Sequence, residues 1–345
     1  MFEKVSIIMV NYNGAKYMGS QVLSEVLESF LKTDYPNFEF IFVDNCSSDN
    51  SIAVAEQTFK KYKSIPTLIV RNQRNFGFSG SEDGIKVASG KYIVLVNNDN
   101  KVIDPKWLKI LLEQKKKNKN AVVFGKLLKW ENPKLIDAAG FALNWAGYGW
   151  MLREGEFENK ISEYEHPIKS AVWQVPVLFD KKLHEVLGEF LDKNFVIIND
   201  EIDSSLRIWL AGYKILLVPK VIMLHKRNVV GPHLPVEFSQ FHGRKNTLML
   251  MLKNYETITL LKWMPVTLII YLGAIIYYSR IKRLDHLKAI LKALLWTIKN
   301  LPLIIKKRIV IQSERKISDK DLEDVIYPFN LSEMIRKRPK RPYPR

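Results

Sequence analysis

Two apolar runs rich in β-branched and aromatic residues each lead directly into a polar turn with an aspartate. Residues 40–43 lead into Asp44, and residues 92–96 lead into the turn 97–100, which contains Asp99. Such a run between turn-forming residues predicts a strand covered on both faces, as in a parallel sheet between helical layers. Because ligands of open α/β sheets bind outside the carboxyl ends of the strands, the two aspartates predict a site for a nucleotide and a hard cation.

The first hundred residues alternate between strand-like and helix-like segments. Strands are predicted at residues 5–10, 38–43, 67–70 and 92–96. Helices are predicted at residues 18–33, 51–62 and 80–88. Helical connections between successive strands require right-handed crossovers, so the pattern predicts an α/β fold with a mostly parallel, Rossmann-like sheet and helices on both faces.

The middle of the chain, residues 101–225, is less regular. Helices are predicted at 107–119, 183–187 and 201–211, and strands at 121–128 and 214–218. Pro219 is expected to end the last of these strands. The glycine-rich and aromatic-rich segment 137–158 indicates twisted strands and loops near a binding surface.

The positive charge of the chain is concentrated near its C-terminus. The 345 residues carry a formal net charge of +17, and residues 280–345 hold 18 Lys or Arg against seven Asp or Glu. A basic segment can bind nucleic acid or an anionic membrane surface. Its many Leu, Ile and Trp residues favour the membrane surface, so no nucleic acid partner is expected.

Three C-terminal segments predict helices. Residues 238–255 predict an amphipathic helix, and residues 287–305 place lysines among aliphatic residues at the spacing of an interfacial helix. Residues 264–278 are uncharged but shorter than the roughly 20 residues of a bilayer span. A span there would carry the basic segment across the membrane, against the usual orientation of positive charge. Peripheral or shallow insertion is therefore favoured, with a single span and a soluble helical subdomain or dimer interface as alternatives.

Two features concern the compartment. Cys46 is the single cysteine, which excludes an internal disulfide and favours a reducing compartment. The N-terminus enters the first predicted strand without a basic region or a cleavage site, so no signal peptide is expected. Together with the basic C-terminal segment, these features predict a location at the cytoplasmic face of the cell membrane.

Ordered motifs relate the chain to a known family. They are VNYNG (10–14), VDNCSSDNS (43–51), NFGFSG (75–80), LVNNDN (95–100) and DEIDSSLR (200–207), followed by Trp209, Gly212, Tyr213, Pro219 and His225. In these motifs the chain resembles inverting glycosyltransferases of family 2, which have the GT-A fold, and particularly their rhamnosyltransferase-like branch. The resemblance implies a GT-A domain over residues 1–255, with a nucleotide-sugar half at about 1–100 and an acceptor half at about 101–255. A membrane-associated helical segment at 256–310 and a basic, partly disordered tail at 311–345 follow.

The resemblance also implies a site for a nucleotide-diphosphate sugar. Its residues would be Asn11, Tyr12, Asn13, Asp44, Asn75, Gly77, Asn98 and Asp99. Asp44 would accept a hydrogen bond from the base or the ribose. Asp99 would hold Mg²⁺ or Mn²⁺ against the diphosphate, since hard cations prefer oxygen ligands, and His225 would add a metal or phosphate contact.

The acceptor side is implied by the motif 200–207. Its second acid is Glu201, the expected general base, with Asp200 as the alternative. Asp203 and Arg207 lie one helical turn apart and are expected to pair with each other or to line the acceptor site. Two departures from the family pattern stand out. Asn97 replaces the first acid of the metal motif, and Glu82 with Asp83 replaces an asparagine pair, which leaves the donor sugar open.

The sequence therefore predicts an inverting, metal-dependent glycosyltransferase. It would move a hexosyl or deoxyhexosyl group to a hydroxyl of a glycan or lipid-linked glycan. A nucleotidyltransferase is an alternative, although the loop after the first strand is not the basic, glycine-rich phosphate loop that such an enzyme needs. A non-catalytic protein that binds membrane or nucleic acid through its basic tail is the second alternative.

Overall fold

The computed structural model describes residues 2–159, 164, 166–227, 229 and 231–330. The last 15 residues of the predicted partly disordered tail, from residue 331 onward, lie outside the described residues. The strands are β1 (Val5–Asn11), β2 (Phe38–Asp44), β3 (Thr67–Arg71), β4 (Tyr92–Asn97), β5 (Asn100–Val102), β6 (Ala121–Lys129), β7 (Asn132–Ala138), β8 (Phe141–Leu143), β9 (Gly149–Met151), β10 (Ile168–Lys169), β11 (Val177–Asp180) and β12 (Lys214–His225). The α-helices are α1 (Gly14–Met18), α2 (Ser20–Leu31), α3 (Ser51–Lys60), α4 (Ser81–Val87), α5 (Trp107–Lys117), α6 (Lys181–Leu187), α7 (Asp200–Leu210), α8 (Val236–Asn254), α9 (Thr257–Arg280), α10 (Leu284–Lys299) and α11 (Leu301–Ser313).

One mixed, largely parallel sheet organises the N-terminal two thirds of the chain. Its strand order is β10-β12-β6-β11-β4-β1-β2-β3, with β5 paired to β12 and β7 paired to β6. Strands β4, β1, β2 and β3 are mutually parallel, and β6 is parallel to β12, while β11 runs antiparallel between these two groups. The predicted α/β fold with a mostly parallel sheet is confirmed.

Helices cover both faces of the sheet. On one face, the aromatic rings of Phe30 in α2 and Phe59 in α3 pack against Phe40 of β2. On the other face, α4 approaches so closely that a Cβ on Gly84 would lie 2.6 Å from Ile8 and 2.7 Å from Val43. The strand side chains are fully apolar at these positions because both faces are covered, which is why the strands read as uninterrupted apolar runs.

The register brings the polar ends of the strands to one edge. Asn11 at the end of β1 lies opposite Asp44 at the end of β2, and Val10 lies opposite Asn97 at the end of β4. The two aspartate-bearing turns therefore meet at the carboxyl edge of the sheet, as the sequence pattern predicts.

The prediction that Pro219 ends a strand is wrong. Strand β12 continues from Lys214 to His225, and its pairing with β6 shifts register between Leu217 and Ile222. A proline is tolerated at such an irregularity because no ladder N–H is required there. The continuation places His225 opposite Asn100 of β5, next to Asp99.

Four helices form the C-terminal part of the described chain. The prediction of an amphipathic helix at 238–255 is wrong for its second half, because residues 245–251 of α8 are buried all round. The predicted interfacial helix 287–305 is two helices, α10 and α11, with Pro302 in the first turn of α11. Helix α9 is 24 residues long and contains the uncharged stretch 264–278, and among the described residues it alone is long and apolar enough to cross a membrane.

Candidate active site

An amide and carboxylate network occupies the sheet edge where β1, β2 and β4 end. Asn11 donates through Nδ2 to Asp44 Oδ1 at 3.0 Å and accepts through Oδ1 from Asn98 Nδ2 at 2.7 Å. Asp44 Oδ2 in turn accepts the backbone N–H of Ser47 at 2.9 Å. The structure thus brings three predicted donor-site residues from three strand ends into direct contact.

The turn after β1 is locked to the turn after β2. Asn13 has a left-handed backbone with φ of 49°, and its Oδ1 accepts the N–H of Ser48 at 2.8 Å. The N–H of Asn13 donates to Ser47 Oγ at 2.8 Å. Tyr12, between these two asparagines, stays half-buried. The turn is therefore rigid where the sequence predicts contact with a nucleotide.

A second loop closes over the same edge and contains Asn75 and Gly77. Asn75 Oδ1 accepts the N–H of Gly77 at 2.8 Å, and Asn45 Nδ2 donates to the Gly77 carbonyl at 2.6 Å. Gly77 has φ of 62°, and a Cβ there would lie 1.5 Å from the carbonyl oxygen of Val196. Only glycine fits because both the backbone conformation and the close approach exclude a side chain.

Asp99 lies beside His225 at the junction of β4, β5 and β12. The distance from Asp99 Oδ2 to His225 Nε2 is 3.4 Å. The other ring nitrogen of His225, Nδ1, lies 2.6 Å from Oδ2 of Asp137, which is fully buried. Arg227 Nε lies 3.0 Å from the second oxygen of Asp137. A buried carboxylate therefore fixes the ring of His225 so that Nε2 is directed at Asp99.

The charge of His225 depends on these carboxylates. Burial lowers the pKa of His225, but the Asp99 and Asp137 carboxylates outweigh it and raise this pKa to about 10. Without a cation, the ring is therefore an imidazolium that pairs with Asp99. A metal that takes the place of the proton at Nε2 would bind the same two side chains.

The residues at this junction suit a divalent cation but provide only some of its ligands. One carboxylate and one imidazole, with a second carboxylate behind the imidazole, are ordinary protein ligands for Mn²⁺. The described part of the chain holds no group of three or more His, Cys, Asp or Glu that could bind a metal by itself. The remaining ligands would have to come from a substrate or from water, as is usual for a metal that binds a diphosphate.

Helix α7 carries the two acids of the motif 200–207 in its first turn. Asp200 is 4% exposed, and Glu201 is half-buried. Burial and the neighbouring Glu201 carboxylate raise the pKa of Asp200 well above its ordinary value. The position of Asp200 therefore disfavours its charged form, and Glu201 is the acid of the pair with access to solvent.

Asp203 and Arg207 pair with each other. Arg207 Nε lies 3.1 Å from Asp203 Oδ2, and both side chains are at most 4% exposed. Asp203 also binds Lys253 at 3.0 Å, and Arg207 donates to the carbonyl of Phe190 at 2.8 Å. The structure thus shows the expected pairing of Asp203 with Arg207. Their polar groups are used in holding α7 against α8 and the segment before it, so the acceptor-side assignment gains no support.

Glu82 and Asp83 also hold that segment in place. Glu82 Oε1 accepts the N–H groups of Phe190 and Leu191 at 2.9 and 2.7 Å, and Asp83 binds Lys193 at 2.5 Å. The departure from an asparagine pair therefore fixes the segment that leads to α7. Its role in choosing a donor sugar stays open.

Sequence reasoning missed Asp137 and the asparagine Asn45. Asp137 lies at the start of the irregular segment 137–158, far from any motif, and only tertiary structure shows that it binds His225. Asn45 lies inside the motif 43–51, and its position next to Asp44 could have identified it as part of the candidate site. It bridges two loops by binding Gly77 and by accepting from Asn72 Nδ2 at 2.7 Å.

The same architecture and motifs occur in known proteins. The model of the family "Glycosyl transferase family 2" matches residues 6–148. The O-antigen biosynthesis protein RfbC of Myxococcus xanthus is 26% identical over 213 residues, which are 59% of this chain and 16% of that protein. A poly(ribitol-phosphate) beta-glucosyltransferase of Bacillus spizizenii is 30% identical over 128 residues, or 36% of this chain and 19% of that protein. The chain thus spans less than a fifth of the length of these two relatives.

Solved structures share the fold. Staphylococcus aureus TarS 1–349 in complex with UDP-GlcNAc superposes with a TM-score of 0.55 at 15% identity, covering 95% of this chain and 94% of that one. GalNAc-T7 with UDP, GalNAc and Mn²⁺ superposes with a TM-score of 0.58 at 16% identity, covering 74% of this chain and 49% of that one. At these identities the likeness establishes the GT-A fold.

Proposed function

We propose that the chain is an inverting, metal-dependent enzyme of glycosyltransferase family 2 that uses a nucleotide-diphosphate sugar. The observation that carries the proposal is the meeting of two groups of residues at one sheet edge. Asn11, Asp44 and Asn98 form one group, and Asp99 with His225 forms the other. The first group suits a nucleoside and the second suits a diphosphate with its cation. The neighbours solved with UDP, UDP-GlcNAc or Mn²⁺ support this reading.

The nucleoside would bind against the network of Asn11 and Asp44. Asp44 is a fixed carboxylate at the end of β2, and it can accept a hydrogen bond from a base or ribose without reorganising. The rigid turn with Tyr12 and Asn13 would form one wall and the loop with Asn75 and Gly77 the other. Asp99 and His225 would hold a divalent cation, which would neutralise charge on the leaving diphosphate when bound.

Glu201 would act as the general base. Inversion requires one base that takes the proton of the acceptor hydroxyl while its oxygen attacks the sugar carbon opposite the leaving group. The half-buried Glu201 is open to an acceptor, whereas Asp200 is buried. Burial and the neighbouring Glu201 carboxylate raise the pKa of Asp200, which makes Asp200 the less suitable of the two as a base.

The C-terminal helices would bind the enzyme to the cytoplasmic face of the membrane. Exposed aliphatic side chains occur along all three last helices, including Ile258 at 82%, Ile269 at 68% and Ile298 at 70% exposure. Apolar surface of this kind, next to a basic C-terminal segment, suits an anionic bilayer. Peripheral or shallow attachment at residues 256–310 would bring the GT-A domain, residues 1–255, to a glycan or lipid-linked glycan acceptor.

Donor turnover tests the proposal. UDP-, GDP- and dTDP-sugars, including dTDP-rhamnose, are supplied with and without Mn²⁺, and released nucleoside diphosphate is measured for the full chain. Asp99→Asn and Glu201→Gln should each lower Mn²⁺-dependent turnover of one donor at least about 100-fold. Asp324→Asn and Glu113→Gln, which change exposed acids, serve as matched controls and should keep full turnover. Equal turnover in Asp99→Asn and wild type would refute the proposal.

A further inference from the structure

A cavity of about 200 Å³ lies where the start of α7 meets α8 and the apolar helix α9. Its lining includes Tyr148, Asn199, Arg244 and Tyr271. Asn199 directly precedes Asp200 and Glu201, so the cavity adjoins the proposed catalytic acids. The residues proposed to bind the donor do not line it. The cavity is therefore a candidate for the part of the acceptor next to the reacting hydroxyl.

Arg244 is the cation of this cavity, and it has no acidic partner within the described residues. Its Nε is buried and makes no hydrogen bond there, and its guanidinium lies 5.5 Å from the centre of the Tyr271 ring. Arg207, Arg227 and Arg315, in contrast, each lie against a carboxylate. A half-buried guanidinium without a counter-charge loses hydration without compensation, which an anionic ligand would supply.

The chemistry of the walls indicates which anion fits. Guanidinium binds phosphate oxygens through two parallel N–H donors. Ser239 and Gln240 add neutral polar groups to the lining. Tyr271 belongs to α9, and its neighbours in that helix, Leu268 and Leu272, are exposed and apolar. A polar head group with a phosphate could therefore bind Arg244, while an attached apolar chain could contact the exposed leucines of α9.

We propose that Arg244 binds a phosphate group of the acceptor and thereby positions the acceptor hydroxyl at Glu201. The phosphate has two possible sources, a lipid phosphate next to the glycan or a phosphate within a polyol-phosphate chain. This inference rests on the proposed function, because only a transferase has an acceptor. The binding of phosphate itself is measured independently of turnover.

Isothermal titration of the full chain in detergent tests the inference. The probes are decyl phosphate and glycerol 3-phosphate, with decanol as the uncharged control. Arg244→Gln should weaken the binding of a phosphate probe about ten-fold or more, because it removes charge-assisted hydrogen bonds. Arg244→Lys, which keeps the charge but not the fork, should lose less. Lys60→Gln removes an exposed charge elsewhere and should bind as wild type does. Melting temperatures identify any variant that fails to fold.

Tighter binding of decyl phosphate than of glycerol 3-phosphate, with decanol inert, would support a lipid phosphate. Equal binding of both phosphates would support a polyol-phosphate chain. Equal affinity of wild type and a folded Arg244→Gln would overturn the inference, and so would displacement of the probe by UDP with Mn²⁺, which would place Arg244 in the donor site. Arg244-dependent binding without any donor turnover by wild type would instead refute the proposed function and leave the phosphate site standing.

Discussion

Lys253 offers the sharpest test of how helix α7 is held against α8. Its ammonium group is fully buried in α8, 2.7 Å from Asp192 and 3.0 Å from Asp203. The change Lys253→Met keeps most of the side-chain volume but leaves both carboxylates short of one positive charge. Each retains a second cation, since Asp192 lies 3.0 Å from Lys307 and Asp203 lies 3.1 Å from Arg207.

The expected loss of stability follows from this arrangement. Removal of one partner of a buried ion pair costs about 3–5 kcal/mol. The remaining cations Lys307 and Arg207 place the expected cost at the lower end, about 3 kcal/mol at pH 7.5. The matched control is Lys292→Met, because Lys292 pairs with Glu237 on the surface. Exposed pairs contribute about 0–1 kcal/mol, so this control should unfold almost as wild type does.

The pH dependence of the free energy of unfolding provides a second, independent test. Burial raises the pKa values of Asp192 and Asp203, but Lys253 and the other cations outweigh burial and hold both below their ordinary value. A depressed folded pKa gives stability that is present above the unfolded pKa of about 4 and lost as the pH falls through the folded value. Without Lys253, burial should raise these pKa values, so protonation should stabilise the folded variant as the pH falls. The difference between the two proteins should therefore shrink from pH 7.5 to pH 5.

Urea unfolding followed by tryptophan fluorescence measures both effects, with midpoint and slope recorded at each pH. A cost below about 1 kcal/mol at pH 7.5 would refute the buried-pair reasoning. A cost that stays constant between pH 7.5 and pH 5 would refute the assignment of that cost to unpaired carboxylates.

Three other perturbations have defined outcomes. Asp137→Asn should raise the Mn²⁺ concentration needed for half-maximal turnover about ten-fold or more, because it removes the carboxylate that orients His225, and an unchanged value would contradict this role. Gly77→Ala should raise the KM for the donor and lower the melting temperature, because left-handed backbone costs an L residue about 1–2 kcal/mol and the new Cβ meets the Val196 carbonyl. Wild-type KM in this variant would show that the loop does not border the donor. Ile269→Glu should reduce flotation with anionic liposomes, whereas equal flotation would place the membrane contact elsewhere.

The sheet could be predicted because its signal is local. Apolar runs with turn residues at their ends indicate strands that are covered on both faces. These runs predicted the bounds of β1, β2, β3 and β4 to within about one residue. The same runs end at Asp44 and before Asp99, so the meeting of the two aspartate-bearing turns at one edge of the sheet followed from the sequence as well. The family motifs predicted roles for these residues, and the model of glycosyltransferase family 2 matches residues 6–148.

Other features depended on partners far away in the chain. Pro219 is a local breaker, yet β12 passes through it because pairing with β6 resumes after a shift of register. Helix α8 has polar residues on either side of an apolar run in its second half, and local periodicity could not show that Lys253 and Asn254 are buried against Asp203. At Lys253, long-range charge compensation overrides the usual exposure of a lysine.

The sequence by itself thus determined the α/β fold and the order of polar turns at one edge of the sheet, because both depend on side-chain patterns within a few residues. Tertiary structure alone decided that Asp137 orients His225, that Asp200 is buried at the start of α7 and that Arg244 faces a cavity with no acidic partner among the described residues. These properties depend on burial and on distances between residues that lie far apart in the chain. Both the burial and the distances are set by the packing of the whole chain, so a local sequence pattern cannot predict them.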